Sequence, residues 1–159
     1  MDFYRSMRRR SVFLICFDSR LTGHISPILA ERSEDAVHLL SSDSFPSCIH
    51  EVMNRIVDLP FPKKFYFFSQ QRQHDNYSCS IFTLNDVRSA IKVRYGEPSD
   101  SLFSLFQEVV LREDVSSEVT HVFEVRRTPE SMMRMVQSME YVESSGAAIV
   151  PCPKAHSPL

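Results

Sequence analysis

Apolar residues fall along this chain in two periods, and the switches between them predict its elements. Ser11 to Phe17 (SVFLICF) is an unbroken β-branched, aromatic and aliphatic run and predicts a buried strand. His24 to Ala30 (HISPILA) predicts a second strand, in which Pro27 marks an edge or a bulge because it has no N–H to donate. A charged hairpin loop, Glu31 to Asp35, leads to a third strand, Ala36 to Leu40, with Ser41 to Ser44 as its exit. From Phe45 to Leu59 the spacing becomes helical. Ile49, Val52, Met53 and Ile56 share one stripe, Ser44 is a cap, Pro46 sits in the first turn, and Pro60 and Pro62 end the element. Lys63 to Ser69 (KKFYFFS) predicts an aromatic fourth strand, followed by a polar loop, Gln70 to Ser78.

Cys79 to about Tyr95 predicts a helix with Ile81, Leu84, Val87 and Ile91 on one side, stopped by Gly96-Glu97-Pro98. Asp100 to Leu111 predicts another amphipathic helix, on Leu102, Phe103, Leu105, Phe106 and Val109. Thr120 to Val125 predicts a strand. Thr128 caps a last helix running to about Val142, with Pro129 in its first position and Glu130 as a first-turn negative charge. The order of elements predicts an α+β fold, with antiparallel strand pairs beside one parallel crossover from strand three to strand four. Residues 1–10 are a polar leading segment with no signal-peptide apolar stretch, 11–145 one domain, and 146–159 a loose, proline-bearing tail.

Composition narrows the function. The 159 residues are 43% hydrophobic and 24% charged with a net charge of −2, which suits one soluble core and argues against a nucleic-acid protein that works by bulk charge. No apolar run approaches the ~18 residues that span a bilayer. The 3 glycines lie far apart, which sets aside Gly-rich phosphate loops. Cys16, Cys48, Cys79 and Cys152 form no CxxC pair, so neither a zinc site nor a disulfide frame is indicated. Arg outnumbers Lys by 14 to 4, which fits genomic base composition or a bound polyanion gripped by guanidinium forks.

Three residues line up for nucleophilic chemistry. His24 opens the second strand, Asp43 follows the third, and Cys79 begins a helix after the fourth strand and its loop. A Cys at a helix N-terminus gains from the dipole and from free backbone N–H groups, which favour the reactive thiolate. A carboxylate at a strand exit orients an imidazole on the neighbouring strand, which then acts as the base. The Cys79 N–H and the Gln73 side-chain amide are the candidate oxyanion donors. Taken singly, each has a plainer reading: Cys79 a small buried hydrophobe, His24 a structural strand residue, Asp43 a helix N-terminal charge, Gln73 a loop amide. His38 is expected to point away from the core, His50 lies on the first helix, His74 stands near Cys79 as a substrate contact or, more plainly, a loop residue, and His121 and His156 carry no partner pattern.

The segment Gln70 to Ala90, QQRQHDNYSCSIFTLNDVRSA, resembles the nucleophile segment of the CE clan of cysteine enzymes. That clan holds the ubiquitin-like proteases, the adenovirus-type proteases and the YopJ family of bacterial effectors. The matching pattern is Gln73, a short polar loop, Ser78, Cys79, Ser80 and an aromatic-bearing helix with Phe82, preceded by His24 and Asp43 in clan order. Within the clan the chain is most similar to the YopJ acetyltransferases, through Gln71-Arg72, Ser44-Phe45 and a proline-led TPESMMRMVQS with Arg134 and Gln137. Asp43 stands where that family usually has Glu, Ser80 where it has Gly, and Met135-Val136 where it has His-Thr.

The resemblance implies the CE-clan papain-like fold, a central mixed sheet flanked by helices. It implies an effector acetyltransferase that moves acetyl from acetyl-CoA through a Cys79 thioester to Ser, Thr or Lys of a host signalling or immune protein. Arg126, Arg127 and Arg134 are the candidate contacts for CoA phosphates or for inositol hexakisphosphate, the family's activator. No metal, nucleic acid or membrane span is implied, and the site of action would be the host cytoplasm after secretion. Two alternatives use the same residues. One is a ubiquitin- or SUMO-type isopeptidase, although Ile25 rather than Trp follows His24 and the chain has no Trp. The other is a truncated, non-catalytic interaction protein.

Overall fold

The computed structural model describes residues 10–17, 24–44, 49–75, 78–95, 102–130 and 132. Strands β1 (Arg10–Phe17), β2 (His24–Arg32) and β3 (Val37–Ser41) run into helix α1 (Ile49–Val57). Strand β4 (Lys63–Phe68) leads to helix α2 (Cys79–Tyr95), a 3-10 turn (Leu102–Leu105) and the strands β5 (Gln107–Leu111) and β6 (Thr120–Arg127). The six strands form one sheet in the order β1-β2-β3-β4-β6-β5. β1–β2, β2–β3 and β5–β6 are antiparallel, and β3–β4 and β4–β6 are parallel. The fold is α+β with a mixed sheet, and the parallel crossover from β3 to β4 falls where the strand order placed it.

Each face of the sheet carries a core. Alternate residues of the central strands feed the two sides, as the pleat requires. Ile28, Ala30, Val37, Leu39, Phe65, Phe67 and Val122 meet Val52, Met53 and Ile56 of α1 on one face. The α1 stripe is the one its spacing predicts, and Pro60 and Pro62 follow in an irregular segment. Leu29, Leu40, Phe68 and Val125 meet Leu102 and Met132 on the other face, joined by Tyr66, Val87, Ala90, Phe103 and Phe106. Lys63 is buried at the start of β4, its ammonium donating to the carbonyls of Leu59 (2.8 Å) and Phe61 (3.3 Å). Burial lowers its pKa, and Asp58 works against that shift.

The structure corrects four expectations. β2 is an interior strand, flanked by β1 and β3, and extends through Arg32 into the expected hairpin loop. Pro27 is tolerated because the ladder to β3 begins only at Ile28, so no donor is missing on that side. The segment expected as an Asp100–Leu111 helix is instead a single 3-10 turn followed by edge strand β5. Leu102, Phe103 and Phe106 fill the second core, after which the Val109-Val110-Leu111 run extends to pair with β6. A short apolar run has no period long enough to choose between helix and strand.

The third correction concerns α2. Ile81 and Leu84, expected on its apolar side, are 54% and 71% exposed. The buried face is instead Cys79, Phe82, Thr83, Asp86 and Ser89, most of it polar. The fourth concerns His38, which does face away from the α1 core, yet packs into the second one. Its ring lies 5.2 Å from Phe103 and 6.1 Å from Tyr66. Burial pushes its pKa below 6.5, Lys64 adds to the shift, and Glu31 opposes it. The leading segment before Arg10, the turn after Phe17, the first residues of the predicted 45–59 helix, the Gly96–Pro98 stop and the last helix with Arg134 and Gln137 lie outside the described residues.

Candidate functional site

The sheet topology brings the chemistry-bearing residues to one end. β3, β4 and β6 are parallel, so the segments after Ser41, Phe68 and Arg127 emerge together. β2 runs the other way beside β3, so its first residue, His24, starts at that same end. In open sheets with parallel strands this edge is where ligands and catalysis gather. Four segments separated in sequence therefore meet: His24, Asp43, the Gln70–Cys79 loop, and the end of β6.

His24 and Asp43 are bonded. The imidazole Nε2 lies 2.8 Å from Asp43 Oδ1, with the ring 14% and the carboxylate side chain 3% exposed. A carboxylate only accepts, so this contact places the proton on Nε2 and makes Nδ1 the basic nitrogen. Cys79 is the first residue of α2, as the spacing predicts, and is buried at 6% exposure with a free thiol. One turn along the same helix face, Thr83 Oγ1 donates to the carbonyl of Ile25 at 3.2 Å. That contact docks the first turns of α2 against the strand position next to His24. His24 and Asp43 are thus in direct contact, and Cys79 starts a helix that is tied to the strand carrying His24.

The described residues of the loop before Cys79 are held by a network of hydrogen bonds. The backbone N–H groups of Arg72 and Gln73 both donate to the Ser44 carbonyl, at 2.9 and 3.0 Å. Ser44 Oγ donates to Gln73 Oε1 at 2.8 Å. Gln73 Nε2 donates to the Asp75 carbonyl (3.0 Å) and to Asp75 Oδ1 (3.1 Å). The Asp75 carboxylate also receives the Ser78 N–H at 2.8 Å and the Ser78 hydroxyl at 2.5 Å. Gln73, the candidate oxyanion donor, is buried beside the nucleophile loop with both amide hydrogens directed at Asp75.

The Ser78 carbonyl accepts from Ile81 and Phe82, so Ser78 is the residue from which α2 starts. The N–H groups of Cys79 and Ser80 then have no acceptor within the helix, by the geometry of a first turn. Together with the N-terminal end of the dipole they are suited to a developing negative charge.

A buried ion pair, unmarked by the sequence reading, underlies the site. Arg72 is 0% exposed. Its guanidinium makes a two-pronged contact with Asp86 of α2, at 2.8 and 2.6 Å. It also donates to the carbonyls of Ser42 (2.8 Å) and Met132 (3.3 Å). Its plane is flanked by the rings of Phe68 and Phe82, at 5.9 and 5.6 Å. In the sequence Arg72 stands out only as part of the Gln71-Arg72 pair, and Asp86 carries no motif. Asp86 lies seven residues, about two turns, after Cys79, and so on the same helix face as the candidate nucleophile.

Of the candidate phosphate contacts, Arg126 and Arg127 are exposed at the end of β6, on the same sheet edge. Arg126 Nε stands 3.5 Å from Glu124. Arg127 lines a cavity of about 340 Å³ with Leu105, Gln107, Thr128, Pro129 and Glu130. Among the described residues no cluster of His, Cys, Asp and Glu is arranged to hold a metal ion, and no helix is long and apolar enough to cross a membrane. In comparisons with known proteins, no family model and no curated protein matches this chain.

Proposed function

We propose that this chain is a cysteine-nucleophile acyltransferase of the YopJ type, built on the CE-clan fold, with Cys79 as nucleophile, His24 as base and Asp43 as the group that orients it. The observation that carries the reading is the His24–Asp43 contact of 2.8 Å at the sheet end where α2 begins with Cys79. The order of the residues, the mixed sheet and the loop anchored to Ser44 support it. His24 Nδ1 takes the thiol proton, and the thiolate adds to the carbonyl carbon of acetyl-CoA. The negative oxygen is stabilised by the Cys79 N–H and the helix terminus. Collapse breaks the bond to CoA sulfur, which leaves with the proton from His24.

In the second half-reaction His24 removes the proton of a Ser or Thr hydroxyl, or of a Lys amine, on a host signalling or immune protein. That group adds to the Cys79 thioester and releases the thiolate, which is reprotonated. A role for Gln73 at the oxyanion requires one of its bonds to Asp75 to open. Arg126 and Arg127, exposed on the same edge, are the candidate contacts for CoA phosphates or inositol hexakisphosphate.

The test is incubation with labelled acetyl-CoA, with and without inositol hexakisphosphate. Label retained by the wild type and lost in Cys79→Ala is expected. Modification of Cys79 by a ubiquitin or SUMO C-terminal electrophilic probe, with no acetyl label, would replace this reading with an isopeptidase. Reaction with neither would leave a non-catalytic interaction protein.

A further inference from the structure

We propose that the Arg72–Asp86 ion pair is a positioning device that holds the Cys79 thiol in register with the His24–Asp43 pair; the proposal rests on the acyl-transfer reading above. Two contacts pin α2 to the site. Thr83 bonds the carbonyl of Ile25, the neighbour of the base. Asp86 grips both terminal nitrogens of Arg72, and one of them, Nη2, also donates to the carbonyl of Ser42, the neighbour of the orienting carboxylate. The guanidinium is therefore a planar spacer between the nucleophile's helix and the residue before Asp43. The backbone reinforces it, since Arg72 N–H donates to the carbonyl of Ser44 on the far side of Asp43. Asp43 is thus bracketed by two bonds from a single residue.

The chemistry of the spacer is specific. A guanidinium presents five donors in a fixed fork, so it can hold a carboxylate by two prongs and a carbonyl in another direction at once. A lysine ammonium is a point charge on a flexible stem and cannot keep those directions together. A buried ion pair is also a poor device for stability alone, because an apolar pair of similar volume often serves as well. The phenyl rings of Phe68 and Phe82 exclude water from the guanidinium and hold its plane. Arg72 touches none of the reacting groups, and acts through Ser42, Ser44 and α2.

The readout is the pH dependence of Cys79 alkylation by iodoacetamide, resolved from the other cysteines by peptide mass spectrometry. It reports thiol–imidazole coupling and needs no acyl donor. Wild type, Arg72→Lys, Asp86→Asn, His24→Ala and Val122→Ala are compared, the last being a core variant that loses stability away from the site. Arg72→Lys is expected to lose the His24-dependent part of the profile, with alkylation near neutral pH slowed about 10- to 100-fold, while Val122→Ala keeps the wild-type profile. A folded Arg72→Lys protein with the wild-type profile overturns the proposal, as does an equal loss in Val122→Ala. If Arg72→Lys does not fold by circular dichroism, Asp86→Asn, which keeps the shape and removes the charge, decides by the same criterion. A profile identical in wild type and His24→Ala overturns the acyl-transfer reading itself, and the positioning role with it.

Discussion

The face of the sheet under α1 and the sheet end that carries His24, Asp43 and Cys79 are both sealed from water, but by different physics. Under α1 the contacts are aliphatic and aromatic, non-directional, and set by the area removed from water. At the sheet end the buried side chains include Asp43, Ser44, Arg72, Gln73, Asp75, Ser78 and Asp86. Their contacts are hydrogen bonds and an ion pair with fixed directions, in which each group left unpaired carries a desolvation cost. The first region tolerates small changes of shape. The second tolerates few changes of chemistry, as the proposed triad would require.

The largest expected break in that contrast is Arg72→Met. It leaves the buried Asp86 carboxylate without its counter-charge and should cost about 3–5 kcal/mol in a denaturant titration. The double change Arg72→Met with Asp86→Leu should recover most of that loss, because both charges go together. A double variant no more stable than the single one would mean that the pair contributes net stability, and the contrast drawn above would fail.

Ser44→Ala comes next. It removes the hydroxyl that donates to Gln73 Oε1 and leaves a buried carbonyl oxygen unsatisfied, for about 1–3 kcal/mol by thermal or chemical melting. Ile28→Val, in the α1-side core at 4% exposure, should cost only about 0.5–1.5 kcal/mol, although it too deletes a buried heavy atom. If Ile28→Val proves the costlier of the two, the site end is less tightly specified than its hydrogen bonds imply.

The smallest effect concerns His38, which faces the second core with its pKa lowered by burial. A group that binds its proton more weakly when folded makes stability fall as pH drops from 6.5 toward the lowered value, since the unfolded chain is protonated first. Below that value the penalty is constant. His38→Gln should flatten this part of the stability curve, and melting temperatures that fall in parallel for wild type and variant would show that other groups govern the slope.

What was legible in the sequence follows the same division. The α1 stripe, the β1 run, the β3–β4 crossover and the start of α2 at Cys79 were all readable from local spacing and caps. So was the meeting of His24 with Asp43, from their places at neighbouring strand ends. Misread were α2's buried face and β5. Asp86 and Ser89 are polar and buried while Ile81 and Leu84 are apolar and exposed, so hydropathy pointed to the wrong side of the helix. β5 is an edge strand with Val109 and Leu111 partly exposed, and only pairing with β6 gives it a strand's identity.

The sequence by itself determined where β1 to β4, β6, α1 and α2 run, and which residue types stand at the strand ends. These depend on interactions within a few residues: pleat, helical turn, cap and proline. The tertiary structure alone decided that Arg72 pairs with Asp86 and that Ser44 joins the Gln73 loop. A buried charge becomes tolerable only when a partner from a distant segment arrives with the right geometry, and such a partner leaves no period in the chain.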